Sequence, residues 1–176
     1  MLRFSIVFCL LFIPFLGKTQ EIGITDFIGK YTGEMQLINQ DKNSMNTVLV
    51  SLDIHEIKKD SVWSYIMTYD SQEYGSMTKD YEIQLTKEGK FQIDEKNGIV
   101  ILMSFIDGCF YEFFESDEMF FYVTMRKTKK NILFELTGTP KWNKREMFLA
   151  AEAPLAITSY GTTVVQKATL KPTKRK

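Results

Sequence analysis

The chain has 176 residues, with 22 basic side chains, 22 acidic ones and a single histidine, so it is formally neutral at pH 7. Neutrality without an internal basic stripe excludes the electrostatic footprint of a nucleic-acid binder. The length suits one domain with a real core, and two cysteines, Cys9 and Cys109, are too few for a disulfide framework.

Residues 1–20 read as a cleaved leader. Arg3 supplies a short positive region, Phe4 to Leu16 an apolar stretch broken late by Pro14, and Gly17-Lys18-Thr19-Gln20 a small and polar exit. That apolar run falls short of the roughly 20 residues a bilayer-crossing helix needs. Cys9 lies inside it instead of directly after it, so a lipid anchor is not expected. The expected organisation is a signal peptide at 1–20, one domain over 21–170 and a basic tail at 171–176. The location is then secreted or periplasmic, with no membrane span. Cys109, set among apolar neighbours, reads as a small buried hydrophobe.

The first element after the leader is a short helical turn over Ile24 to Ile28. A strand follows over Lys30 to Ile38, where Tyr31, Met35 and Leu37 alternate with Thr32, Glu34 and Gln36. Asn39 to Asn46 reads as a polar loop. Thr47 to Ile57 puts Val48, Val50, Leu52 and Ile54 on one face, with Ser51, Asp53 and His55 on the other. Val62 to Tyr69 puts Trp63, Tyr65, Met67 and Tyr69 on one side, and Ser71 to Lys79 reads as a loop. A period of two over such lengths specifies half-buried strands.

From Tyr81 to Thr137 apolar runs follow one another, separated only by Lys87-Glu88-Gly89, Asn97-Gly98, Asp107-Gly108 and Glu115 to Glu118. Such turns leave no room for crossover helices, so neighbouring strands pair antiparallel. A three-residue loop at Lys87 to Gly89 pairs Leu85 with Phe91 and Ile83 with Ile93. A two-residue turn at Asn97-Gly98 pairs Ile93 with Leu102. Asp107-Gly108 pairs Leu102 with Phe113, and an even turn at Glu115 to Glu118 sets Tyr111 against Tyr122. Because facing residues share a face, Tyr81, Ile83, Leu85, Phe91, Ile93, Val100, Leu102, Tyr111, Phe113, Phe120 and Tyr122 are expected inside. Glu82, Gln84, Gln92, Asp94 and Glu112 are expected outside, together with Ile101, Met103, Phe105 and Phe114. Apolar side chains on an outer face suggest an interface, with a homodimer as one form of it. Further strands are expected at Ile132 to Thr137, Lys144 to Ala151 and Thr162 to Leu170. The fold class is therefore all-β, an antiparallel up-and-down meander barrel of about eight to ten strands.

The opening Asp26-Phe27-Ile28-Gly29-Lys30-Tyr31-Thr32-Gly33 resembles the calycin-like barrels, lipocalins and fatty-acid-binding proteins, which begin with Gly-x-Trp after a short helical turn. Gly29 and Gly33 match, and Tyr31 stands where Trp is usual. The last strand lacks the Arg that lipocalins pack over that Trp. The resemblance implies an exported barrel that holds a small hydrophobic or amphipathic ligand. The same opening is similar to nitrobindin-type haem barrels, which bind iron through a His. The only His here, His55, falls on a polar face, so no cofactor is expected.

Polar groups among the expected lining would orient a ligand. Tyr81, Tyr111 and Tyr122 fill that role, with Arg126 as a planar clamp for a carboxylate and Trp63 and Tyr65 extending the wall. The alternative is a filled core, with docking through the outer apolar residues. Asp53, His55 and Glu56 have metal-capable types, but Glu56 points away from the other two. Glu115 to Glu118 lacks the spacing of a calcium loop. No nucleophile elbow, zinc-protease helix, phosphate loop or paired thiols are present, and the chain is expected not to be an enzyme.

Overall fold

The structure, a computed structural model, describes residues 22–40, 44–73, 75–149 and 155–173. The expected leader and Lys174 to Lys176 lie outside the described residues. After a 3-10 turn at Ile24–Phe27 come β1 (Gly29–Asn39), β2 (Ser44–Ile54), β3 (Glu56–Lys58), β4 (Val62–Ser71), β5 (Gly75–Leu85), β6 (Phe91–Asp94) and β7 (Val100–Ile106). The series continues with β8 (Cys109–Ser116), β9 (Met119–Lys127), β10 (Ile132–Pro140), β11 (Lys144–Leu149), β12 (Leu155–Tyr160) and β13 (Val164–Pro172). The stretch expected as a loop before Tyr81 is therefore mostly strand. Lys144 begins a separate two-stranded hairpin, β11 with β12, in place of a wall strand.

Ten strands run in the order β2-β1-β13-β10-β9-β8-β7-β6-β5-β4, and β2 pairs again with β4 to close the cylinder. The short β3 lies along β4. Closure leaves no long free edge, which explains how so aromatic a set of strands avoids edge-to-edge pairing.

Register follows the turn lengths, with one departure that changes which residues face inward. The Lys87-Glu88-Gly89 loop is closed by Thr86 N–H donating to Lys90 O at 2.8 Å, and it pairs Leu85 with Phe91 and Ile83 with Ile93 as expected. At Asn97-Gly98 the loop is one residue longer than a two-residue turn. Glu95 N–H donates to Ile99 O at 3.0 Å, and Lys96 and Gly98 both take positive φ, 59° and 96°. The Asp94 carboxylate accepts from Lys96 N–H, and the Asn97 side-chain oxygen from Ile99 N–H, fixing that three-residue form. Ile93 consequently faces Ile101 instead of Leu102. One residue of slip turns every later side chain over.

The next turns keep parity, so the inversion carries through β7, β8 and β9. Met103, Phe110, Glu112, Val123 and Met125 are buried inside, while Leu102 is 69% and Phe113 68% exposed. Val100, Leu102, Tyr111, Phe113, Phe120 and Tyr122, expected inside, therefore belong to the outer face. Ile101, Met103, Phe105 and Phe114 belong to the inner one.

The two ends of the cylinder differ. At one end Phe27, held in the 3-10 turn, plugs the barrel with its ring 5.2 Å from that of Phe110 and 6.1 Å from Phe105. Asp26 secures that turn by accepting from Gly23 N–H at 2.8 Å. Phe27, Ile54, Trp63, Ile83, Phe110, Ile132 and Leu170 form this floor, and all are fully buried. The opposite end, where β1, β4, β6, β8 and β10 finish, has no such plug among the described residues. Its inward side chains Leu37, Tyr69, Tyr81, Phe114 and Leu136 are only partly buried, and Met77 is exposed.

Each part of the opening motif has a physical role. Gly29 holds φ at +149°, a region that favours glycine. Tyr31 is buried, and although the last strand lacks an Arg, a cation still covers the ring. Lys127 Nζ lies 4.8 Å from its centroid and donates to its hydroxyl at 2.9 Å. Gly33 passes so close to β13 that an added Cβ would lie 2.5 Å from Thr169 O. Gly33→Ala is therefore expected to destabilise the fold by about 1–3 kcal/mol. Chemical denaturation would read this as a lower midpoint at unchanged slope, and an unchanged midpoint would refute the close approach.

Candidate functional site at the barrel mouth

Between floor and mouth the interior changes from hydrocarbon to hydroxyls and charges. β4 and β5 set Tyr65 opposite Tyr81 and Met67 opposite Lys79, and the two tyrosine rings stack with centroids 6.5 Å apart at 13°. Lys79 Nζ lies 5.9 Å from the Tyr81 ring centroid. Just past the end of β6, Glu95 lies near enough to the Tyr81 hydroxyl to raise its pKa. From β8, Glu112 points inward between Met103 of β7 and Val123 of β9 and is 9% exposed. No hydrogen bond or ion pair within contact distance reaches its carboxyl among the described residues.

Proton affinities follow from this enclosure. Burial pushes the Glu112 carboxyl up to about 7. Lys79 pulls against that shift, and the Glu95 charge adds to it. Burial raises Tyr65 well above its ordinary value, with further contributions from Tyr69, Glu112 and Tyr81. Tyr69 is raised to about 12, again by burial and then by Tyr81. Tyr81 is raised by burial, by the charge and hydrogen bond of Glu95, and by Glu112. These groups share one interior space and feel one another across it.

Of the residues expected to line a site, Trp63, Tyr65 and Tyr81 face inward. Trp63 belongs to the floor, its ring 6.2 Å from Phe91, and its buried indole nitrogen has no hydrogen-bond partner among the described residues. Tyr111, Tyr122 and Arg126 lie on the outer face and line no interior, a correction that follows from the extra residue in the Lys96 to Gly98 loop. There Arg126 Nη2 donates to the Tyr111 hydroxyl at 2.9 Å and Nη1 to Asp107 O at 3.1 Å, and the Tyr111 and Tyr122 rings lie 6.5 Å apart. Lys79, Glu95 and Glu112 were missed. Glu112 did leave a signal, as the lone charge inside the run Phe110-Tyr111-Glu112-Phe113-Phe114.

Asp53 and His55 meet Ser64 on the outer wall, but not as a catalytic triad. The Ser64 hydroxyl is 2.7 Å from His55 Nδ1, and the Asp53 carboxylate is 3.5 Å from that same nitrogen. A relay needs the two on opposite ring nitrogens. Asp53 is engaged by Lys30 at 2.8 Å, and Ser64, itself buried, accepts from His55 N–H. Among the described residues no group of three His, Cys, Asp or Glu side chains could hold a metal.

Two broad depressions lie outside the barrel. One, of about 1110 Å3, crosses the outer faces of β4, β2, β1, β13, β10 and β9 with mixed polar walls such as Thr32, Gln36 and Lys167. The other, of about 710 Å3, is lined by Leu102, Phe113 and Tyr122.

No protein-family model and no curated protein matches the chain. Solved structures do share its architecture. It is similar to an S-type phycobiliprotein lyase, CPES, from Guillardia theta, at a TM-score of 0.59 and 12% identity, over 86% of this chain and 91% of that one. It is similar also to a protein of unknown function of the DUF3598 family from Nostoc punctiforme, at a TM-score of 0.59 and 9% identity. That match covers 86% of this chain and 49% of the other, so the chain spans about half of that protein's length. At such identities the likeness bears on the fold alone, a closed antiparallel β-barrel. It also corrects the expectation of a non-enzyme. A protein named as a lyase is built on this fold, so missing hydrolase and metal motifs do not remove catalysis from what the fold supports.

Glu112 gives the site a pH signature. Its folded pKa lies above the ordinary carboxylate value, so between about pH 4.5 and pH 7 the native state holds a proton that the unfolded chain has released. Stability therefore falls as pH rises through that window, by at most about 1.4 kcal/mol per unit, and levels off above it. Glu112→Gln is expected to remove this decline and to be the more stable form in mild alkali. Thermal unfolding across the pH series checks it, and parallel curves for the two proteins would place the carboxyl in water.

Proposed function

We propose that the protein is an exported barrel that binds a small hydrophobic or amphipathic molecule entering at the mouth. The apolar part of the ligand would lie toward Met67 and Val50, and its polar end among Tyr65, Tyr69, Tyr81, Lys79, Glu95 and Glu112. The carrying observation is the one-ended interior. A fully buried aromatic floor passes into a half-buried rim where, among the described residues, every inward charge but Lys127 is gathered. Preformed sites combine such an apolar wall with a few convergent polar groups. The leader-like residues 1–20 support export. The likeness to a barrel named as a phycobiliprotein lyase supports the architecture of this reading.

Titration with the uncharged dye Nile red tests it, with saturable fluorescence enhancement expected. Tyr81→Ala, at the rim, should weaken binding by about tenfold, close to 1.4 kcal/mol, while thermal unfolding stays cooperative. A dye signal that does not saturate would rule the interior site out.

The outer face supports a second reading, self-association. Leu102, Phe113 and Tyr122 lie on adjacent strands β7, β8 and β9, all well exposed, with Val100 beside them. Contiguous apolar surface of this kind marks interfaces. A homodimer is expected by light scattering of the chain without residues 1–20, and Leu102→Glu with Phe113→Glu should return it to monomer. A wild-type monomer at high concentration would end this reading.

A further inference from the structure

From the charges at the mouth we infer that the ligand is an amphipathic cation, an amine or quaternary ammonium carried on an apolar body, with Glu112 as its counter-ion. The inference rests on the interior site proposed above and names the class of molecule it takes.

Among the described residues three charged side chains face inward at the mouth, and their signs are unbalanced: Glu112 and Glu95 against Lys79. The other inward base, Lys127, is at the floor and is engaged by Tyr31. Of the two acids, Glu95 interacts with the Tyr81 hydroxyl. Glu112, nine-tenths buried, has no partner at contact distance among the described residues. An inward carboxyl left without a donor is costly unless something brings one. A cationic head would supply both the charge and the hydrogen bonds.

The aromatic groups point the same way. Tyr65 and Tyr81 stack as a pair and both feel the Glu112 charge, and Tyr69 follows on the same face of β4 toward the rim. Ring faces attract ammonium groups and repel carboxylates. The chain's own Lys79 shows the preference, its ammonium lying over the Tyr81 face. A carboxylate ligand would meet two acids and three ring faces for one lysine. The charged and titratable groups that act on Glu112 are Tyr65 from β4, Lys79 and Tyr81 from β5, and Glu95 after β6. The neighbouring β7 and β9 present Met103 and Val123. Proton release from Glu112 is therefore the charge change near neutrality, and it strengthens the attraction for a cation.

Three C12 probes that differ only in their heads decide the matter. Dodecyltrimethylammonium, dodecanoate and dodecanol compete for Nile red bound to the protein, below their micelle concentrations. The ammonium is expected to displace the dye at concentrations about tenfold lower than dodecanoate. Its affinity should rise from about pH 6 to pH 8 as Glu112 ionises. Glu112→Gln should abolish both the preference and the pH dependence while leaving dodecanol unchanged, and that last readout separates loss of the counter-ion from loss of the fold. Equal affinities, or a preference for dodecanoate, would overturn the cation assignment and leave the interior site standing. Failure of Nile red to bind saturably would overturn both.

Discussion

The contact between Phe27 and Phe110 decides how the rest of the molecule is arranged. Phe110 sits 5.3 Å from Phe91 and 4.6 Å from Phe105, so four rings from the 3-10 turn and from three strands meet at one end. Edge-to-face and tilted ring pairs pack that end. A ten-stranded cylinder sealed at both ends would only be a core, whereas sealing one end gives the interior a direction. Gly108 is part of the seal, since a Cβ there would lie 3.0 Å from Ile22, which packs beneath the plug.

That direction explains where polar groups are tolerated. At the floor, the one inward base has its charge satisfied by the Tyr31 hydroxyl and ring. Toward the mouth, dielectric and access rise together, and Lys79, Glu95 and Glu112 can be inward at moderate cost. Glu112 is the expensive member. Enclosed by Met103 and Val123, it holds its proton until near neutrality, and only Lys79 among its neighbours favours the charged form. An enclosed carboxyl of this kind costs stability, a common mark of a functional site.

The outer wall has a different character on its two sides. Across β4, β5 and β6 it is a polar ladder, with the Gln92 amide donating to Gln84 at 2.9 Å, Gln84 to Asp94 at 3.1 Å, and Lys96 bridging to Asp80 at 2.8 Å. Across β7, β8 and β9 it carries the exposed apolar group Val100, Leu102, Phe113 and Tyr122. The β11–β12 hairpin stands at the mouth end, tied to the barrel through Tyr160, whose ring meets Phe120 edge-on at 5.3 Å, and through the Lys141 ion pair with Glu115. Trp142 and Phe148 on or beside this arm are strongly exposed. Apolar surface and mouth are thus grouped on one part of the molecule.

Alternation and turn chemistry, read along the chain, were enough for the all-β meander, for the strands expected from Lys30, Thr47 and Val62, which are β1, β2 and β4, and for the inward set from Tyr31 through Ile93. Both are local properties: a side-chain period of two, and glycines where φ must be positive. Which face the later strands bury was not local. It depended on whether Asn97-Gly98 closes as a two- or a three-residue loop, and side-chain hydrogen bonds from Asp94 and Asn97 settled that only in the folded chain. Glu112 went from an outer ornament to the centre of the site on that single residue, while Tyr111, Tyr122 and Arg126 went the other way. Pairing of β13 with both β1 and β10, and closure of β2 on β4, bring together segments far apart in the chain. No periodicity encodes such contacts, so the plugged floor and open mouth belong to the tertiary structure alone.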